Sequence, residues 1–173
     1  MKQIENNRIN FLRFGFYSKK LTISEILLIL SLFIFEFYIW LFRFRDVEIN
    51  LLINLESVTF VTIWWLPLAA GLSNLFRNIY FGVSWLLICI IWFLIKEDLI
   101  SAVLPIIIFF YIQFARLIFK SIFKYEPVFL IPSKFRYSKY SKIEKRKTNT
   151  ADFVFTMLTF IVGGIMSILI ANI

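Results

Sequence analysis

Hydrophobic and polar positions in this chain fall into long blocks. Apolar runs occupy 21–42, 57–75, 79–95, 99–119 and 152–173, divided by short clusters of charge. As a helix the first run is about 33 Å long at ~1.5 Å per residue, enough to cross a hydrocarbon core of about 30 Å. The 79–95 run is the shortest and stands at the lower end of the spanning range. Fusing 79–119 into one helix would give a rod of about 60 Å and would sink Lys96, Glu97 and Asp98 into lipid, where charge is costly. The blocks therefore predict an all-α integral membrane protein, a bundle of five transmembrane helices.

Local signals refine these elements. Thr22 or Ser24 can cap the first helix, with Glu25 in its first turn, where the positive helix end favours an acid. Arg43 and Arg45 stop it. The acid-rich stretch 46–56 alternates Val47, Ile49, Leu51 and Ile53 and reads as a connector skimming the interface. Pro67 should kink the second span, and Phe76-Arg77-Asn78 reads as a tight turn. The resulting organisation is a basic, aromatic cytoplasmic tail at 1–20, four helices within 21–119, a basic cytoplasmic loop at 120–151 and a fifth helix at 152–173. The tail interleaves its bases with Phe11, Phe14, Phe16 and Tyr17, a mixture suited to the headgroup layer.

Charge sets the orientation. With five spans, one side receives five Lys and Arg from the tail, one from Arg77 and ten from 116–151, while the other receives Arg43, Arg45 and Lys96. The side richer in Lys and Arg is cytoplasmic, so the N-terminus is expected inside and the C-terminus outside. Composition agrees with the membrane reading, at 60% hydrophobic, mean hydropathy +0.81 and net charge +8, against about 45–50% apolar for soluble domains. Heavy use of Phe, Ile, Lys, Asn and Tyr points to an AT-rich genome, hence a bacterial cytoplasmic (inner) membrane or an organellar inner membrane.

The chemistry-bearing residues are few. There is no histidine, and Cys89 is the single cysteine. That removes a thiolate cluster, a His-based metal site and a Ser–His or Cys–His pair. Neither a Gly-rich phosphate cradle nor a carboxylate pair at acid–base spacing is visible. No enzyme, cofactor or metal is expected.

Glu36 is the sharpest feature, a carboxyl about 7 Å outward of the centre of the first span. It must face protein or water, either as a proton or cation site or as a neutral packing group bonded to a neighbouring helix. Gln113 stands about 13 Å from it along the membrane normal, whereas Thr62 and Ser167 match its depth and are its expected partners. In the last span Thr156, Thr159, Gly163, Ser167 and Ala171, with Gly164 beside them, form a small-residue face that lets helix backbones approach closely. Its partner could be a helix of this chain, a second copy or another subunit.

In the basic loop, Lys134, Arg136, Lys139, Lys142, Lys145, Arg146 and Lys147 are candidates for contact with anionic headgroups. The Pro-bracketed patch Val128–Ile131 adds the prospect of a cytoplasmic protein partner. Nucleic acid, which aromatic-interleaved bases can also bind, ranks last. The functional expectation is a non-enzymatic membrane subunit that assembles through its helices and docks a cytoplasmic partner or anionic lipid. The alternative is a small oligomeric channel or transporter working through Glu36.

Overall fold

The computed structural model describes residues 15–43, 49–69, 72–130, 140–141 and 145–171. Five α-helices carry the fold: α1 (Ile23–Arg43), α2 (Ile49–Ala69), α3 (Ile79–Ile95), α4 (Leu99–Phe123) and α5 (Thr150–Ala171). A 3₁₀ helix, Leu72–Arg77, precedes α3, and a two-residue antiparallel ladder pairs β1 (Tyr140–Ser141) with β2 (Arg146–Lys147).

Side chains define several of the helix ends. Thr22 Oγ1 accepts from Glu25 N at 3.4 Å while Glu25 Oε2 accepts from Thr22 N at 2.9 Å, a reciprocal cap that satisfies two donors without intrahelical partners. Asn149 and Asp152 repeat the device at α5, with both bonds 3.0 Å long. Asp98 Oδ2 accepts from Ser101 N at 3.0 Å and from the Ser101 hydroxyl at the start of α4. These bonds, the hydroxyl's foremost, hold the Asp98 carboxyl below its usual range. Lys124, in the left-handed conformation at φ 63°, closes α4.

Two expectations about boundaries change. The stretch 46–56 is not an interfacial connector over its described part, because α2 already begins at Ile49. Glu56 lies inside that helix, bonded to Arg43 Nη2 at 3.0 Å and Lys96 Nζ at 2.5 Å. Pairing with two bases lets an acid enter a largely apolar helix. The second span consequently ends at Ala69 instead of 75, and the expected tight turn is the end of the 3₁₀ helix. Pro67 falls in the last turn of α2 and, having no N–H, cannot donate to the Ile63 carbonyl one turn back.

Contacts fix the directions. Tyr17 bonds the start of α3 on both sides, through Tyr17 N to Arg77 O and Ile79 N to Tyr17 O, each 3.0 Å. Arg43 at the end of α1 donates to Ile95 O at the end of α3, so these two helices are parallel. The Arg43–Glu56, Trp92–Ser101 and Phe119–Phe155 contacts make α2 antiparallel to α1, α4 to α3, and α5 to α4. Helices α1, α3, α4 and α2 form a ring, each touching the next, and α5 leans on the outside against α4 and α2. The ring centre holds Leu32, Ile39, Ile63, Trp85, Ile88, Trp92, Ile108 and Ile112, all buried.

The outer faces are apolar as well. Leu27, Leu30, Ile34 and Phe37 of α1 and Leu158, Ile161, Ile165 and Ile168 of α5 are exposed, far more apolar surface than a soluble monomer shows. Four helices, α1, Leu51–Leu68 of α2, α4 and Thr150–Leu169 of α5, are long and apolar enough to cross a bilayer. The fold is that of a helical, multi-pass membrane protein. The shorter apolar α3, of 17 residues, runs beside α1 from the Tyr17 end to the Arg43 end.

Candidate functional site

Glu36 occupies the inner face of α1 between Leu32 and Ile39 and is 1% exposed. Neither carboxyl oxygen has a hydrogen-bond partner among the described residues. The register set by Arg43–Glu56 places Ile63 of α2 opposite it, and Cys89 of α3 is within electrostatic range. Neither expected partner reaches it. Thr62 Oγ1 donates to Val58 O of its own helix at 2.7 Å. Ser167 Oγ accepts from Trp64 Nε1 at 2.7 Å and donates to Gly163 O at 2.7 Å. Depth matched, but azimuth did not: α5 packs outside the ring that encloses Glu36. Gln113 lies toward the other end, where its Nε2 donates to Phe76 O at 3.2 Å.

Two turns from Glu36, the ring is closed by charge. Arg43 and Lys96 both meet Glu56, Arg43 also reaches the exposed Glu97 at 3.5 Å, and Lys96 Nζ stands 5.9 Å from the Trp92 ring centroid. No protein-family model matches the chain, and no curated protein or solved structure is significantly similar to it. The site must therefore be read from its residues alone.

The opposite end is the basic one. Glu126, buried, is approached by Lys120 Nζ at 2.8 Å and by Arg77 and Arg116 at 3.6 Å each. The Arg116 guanidinium lies 4.5 Å from the Phe16 ring centroid, a cation–π arrangement, and Arg77 donates through Nε and Nη2 to Gly15 O at 3.0 and 2.8 Å. Gly15 has φ +73°, and a Cβ there would stand 1.8 Å from Glu126 Oε1, so a side chain would strain the backbone and displace the Glu126 carboxyl. Residues 15–20 of the tail therefore dock on the bundle; the earlier tail lies outside the described residues.

Within the basic loop, Lys134, Arg136, Lys139 and Lys142 lie outside the described residues, while Lys145 and Lys147 are exposed. Arg146 is half-buried and engaged within the chain. It grips Asp152, itself 0% exposed, through Nη1 at 2.6 Å and Nη2 at 2.7 Å, donates to Glu126 O at 2.8 Å and stacks 4.3 Å from the Tyr125 ring centroid. Nor is Val128–Leu130 an external docking patch. Its three residues are buried, and their N–H groups donate to Asp152 Oδ1, Asn74 Oδ1 and Thr156 Oγ1 at 2.9, 2.9 and 3.1 Å. Ile131 lies outside the described residues.

The small-residue face of α5 finds its partner within the chain. A Cβ on Gly163 would meet Leu68 Cδ2 at 3.0 Å and Tyr111 Cε1 at 3.3 Å, and Tyr111 donates to Thr159 O at 3.1 Å. Gly164, by contrast, has nothing within 4 Å of a Cβ. The Ala171 side chain lies outside the description. A groove of about 600 Å³ opens between the starts of α1 and α3, with Lys20 at one end and Ile26, Ile79 and Val83 along it.

The residues missed from sequence are Glu56, Glu126 and Asp152. Two of them left a signal: Glu126 is one of two acids in a strongly basic stretch, and Asp152 follows Asn149 at capping spacing.

Proposed function

We propose that this chain is a non-enzymatic subunit of the bacterial cytoplasmic membrane, crossing it five times with the N-terminus inside, and held at its basic end by anionic lipid headgroups. The supporting observation is the partition of charge between the two ends of the bundle. Lys19, Lys20, Arg77, Arg116, Lys120, Lys124, Lys145, Arg146 and Lys147 gather at the end where α1, α3 and α5 begin, whereas Arg43 and Lys96 are the described bases at the other. Exposed bases at that end, Lys19, Lys20, Lys124, Lys145 and Lys147, sit where headgroup phosphates would meet them, each worth about 1 kcal/mol near an anionic surface. The Lys20 groove offers the matching shape for one lipid, with a cation at headgroup level and an apolar channel for an acyl chain.

Assembly would use the outer face of α5, around Ile161, Gly164, Ile165 and Ile168, since the Gly163–Ser167 face is occupied within the chain. Reconstitution into nanodiscs of phosphatidylcholine, with and without phosphatidylglycerol, tests the lipid contact. Thermal stability should rise with the anionic lipid, fall back at high salt, and respond less in Lys20→Gln. Equal stability in neutral and anionic bilayers would refute the contact. A particle mass in mild detergent of one copy alone would refute the assembly.

A further inference from the structure

Glu36 is unusual in being buried at the centre of a helix ring with both oxygens unpartnered among the described residues. Its surroundings decide what it can hold. A bound cation needs several oxygen ligands, and the described residues contain no cluster of acids, cysteines or histidines able to supply them. The nearest buried hydroxyl on α2, Thr59, is committed to Leu55 O at 2.8 Å. A proton needs no such shell, and a carboxyl in apolar surroundings is held as the neutral acid.

The two ends of the ring differ in what closes them. Toward the basic end the core is filled by Phe76, Phe81, Trp85 and Phe109, whose ring centroids stand 5.0–6.1 Å apart in contacting pairs. Toward the other end, past the buried Ile39 and Trp92, Arg43 lies seven residues beyond Glu36 and Lys96 seven beyond Cys89, each on the same face about 10 Å along the axis. Glu56 joins these two bases across α2. Among the described residues, the charged or titratable groups that face into the ring on the Glu36 side are thus Arg43 on α1, Glu56 on α2, and Cys89 and Lys96 on α3. On α4 the residues at this level, Leu104, Pro105 and Ile108, carry no charge.

We infer that Glu36 is a proton-binding site of the bundle core, loaded and emptied through the end that the Arg43–Glu56–Lys96 contacts hold shut. On release, the proton passes from the carboxylic acid to water admitted at that end, leaving a carboxylate; on binding, the carboxylate takes it back. Because the bare carboxylate is costly inside the closed ring, the proton leaves only when those contacts open, and protonation is coupled to their closure.

The experiment is infrared spectroscopy of the full chain in lipid nanodiscs at neutral pH. A carbonyl band of a protonated carboxylic acid should be present, shift in Glu36→Asp and vanish in Glu36→Gln. On transfer to heavy water its deuterium exchange should be slow, and about tenfold faster in Glu56→Gln, which leaves Arg43 and Lys96 facing each other and lowers the cost of local opening. Absence of the band in the native protein overturns the proton site, whatever the variants do. A band whose exchange is unchanged in a folded Glu56→Gln protein overturns the access route.

Discussion

Trp64 and Ser167, 103 residues apart, are joined by a 2.7 Å hydrogen bond from the indole Nε1 to the hydroxyl Oγ. It is a polar contact between α5 and α2, and Ser167 is 2% exposed. Ser167→Ala leaves the indole donor without its acceptor. Such interhelical bonds are worth about 1 kcal/mol in membranes, so the midpoint of unfolding in detergent should drop measurably. An unchanged midpoint would show that the bond carries no stability.

Gly163 and Gly164 are neighbours with opposite surroundings. Gly163→Ile would drive a branched side chain into Leu68 and Tyr111, an overpacking cost of about 1–3 kcal/mol. Gly164→Ile meets open space and should be near neutral for the folded chain. Thermal unfolding of the pair checks this. Equal effects would mean that Gly163 does not face Leu68 and Tyr111.

Arg146→Gln should be among the most damaging single changes at the basic end. It removes two bonds to Asp152, which is fully buried and also holds Val128 N and Asn149 N. An unmatched buried carboxylate costs about 3–5 kcal/mol. Asp152→Asn in the same background should recover part of the loss, because no bare charge then remains. Failure of that rescue in unfolding measurements would show that the loss is not electrostatic.

Orientation can be read by labelling single cysteines on a Cys89→Ala background. A cysteine replacing the exposed Lys147 should react with an impermeant reagent only after the membrane is broken. One replacing Glu97, 90% exposed at the opposite end, should react in intact cells. Reaction of both from outside would contradict the five-span topology.

The order and approximate bounds of the helices were legible because lipid imposes a one-dimensional rule: a spanning helix must be continuously apolar over its own length. Thr22 and Glu25 announced the start of α1 for an equally local reason, since a cap is completed within four residues. The acid-rich look of 46–56 misled because Glu56 finds Arg43 and Lys96 only after three helices assemble. An isolated segment gives no sign of that neutralisation.

What the sequence determined by itself was the solvent, the apolar blocks and the bias of bases toward one side, all of which depend on position along one strand of chain. The pairing of Thr62 and Ser167 with Glu36 rests on position along the helices alone. Azimuth did not follow. Which face of each helix turns toward which neighbour is decided by close packing of the whole bundle, and that packing places α5 outside the ring. It leaves Glu36 without a hydrogen-bond partner among the described residues, gives Ser167 to Trp64, and folds the Val128–Leu130 segment onto Asp152 and Thr156.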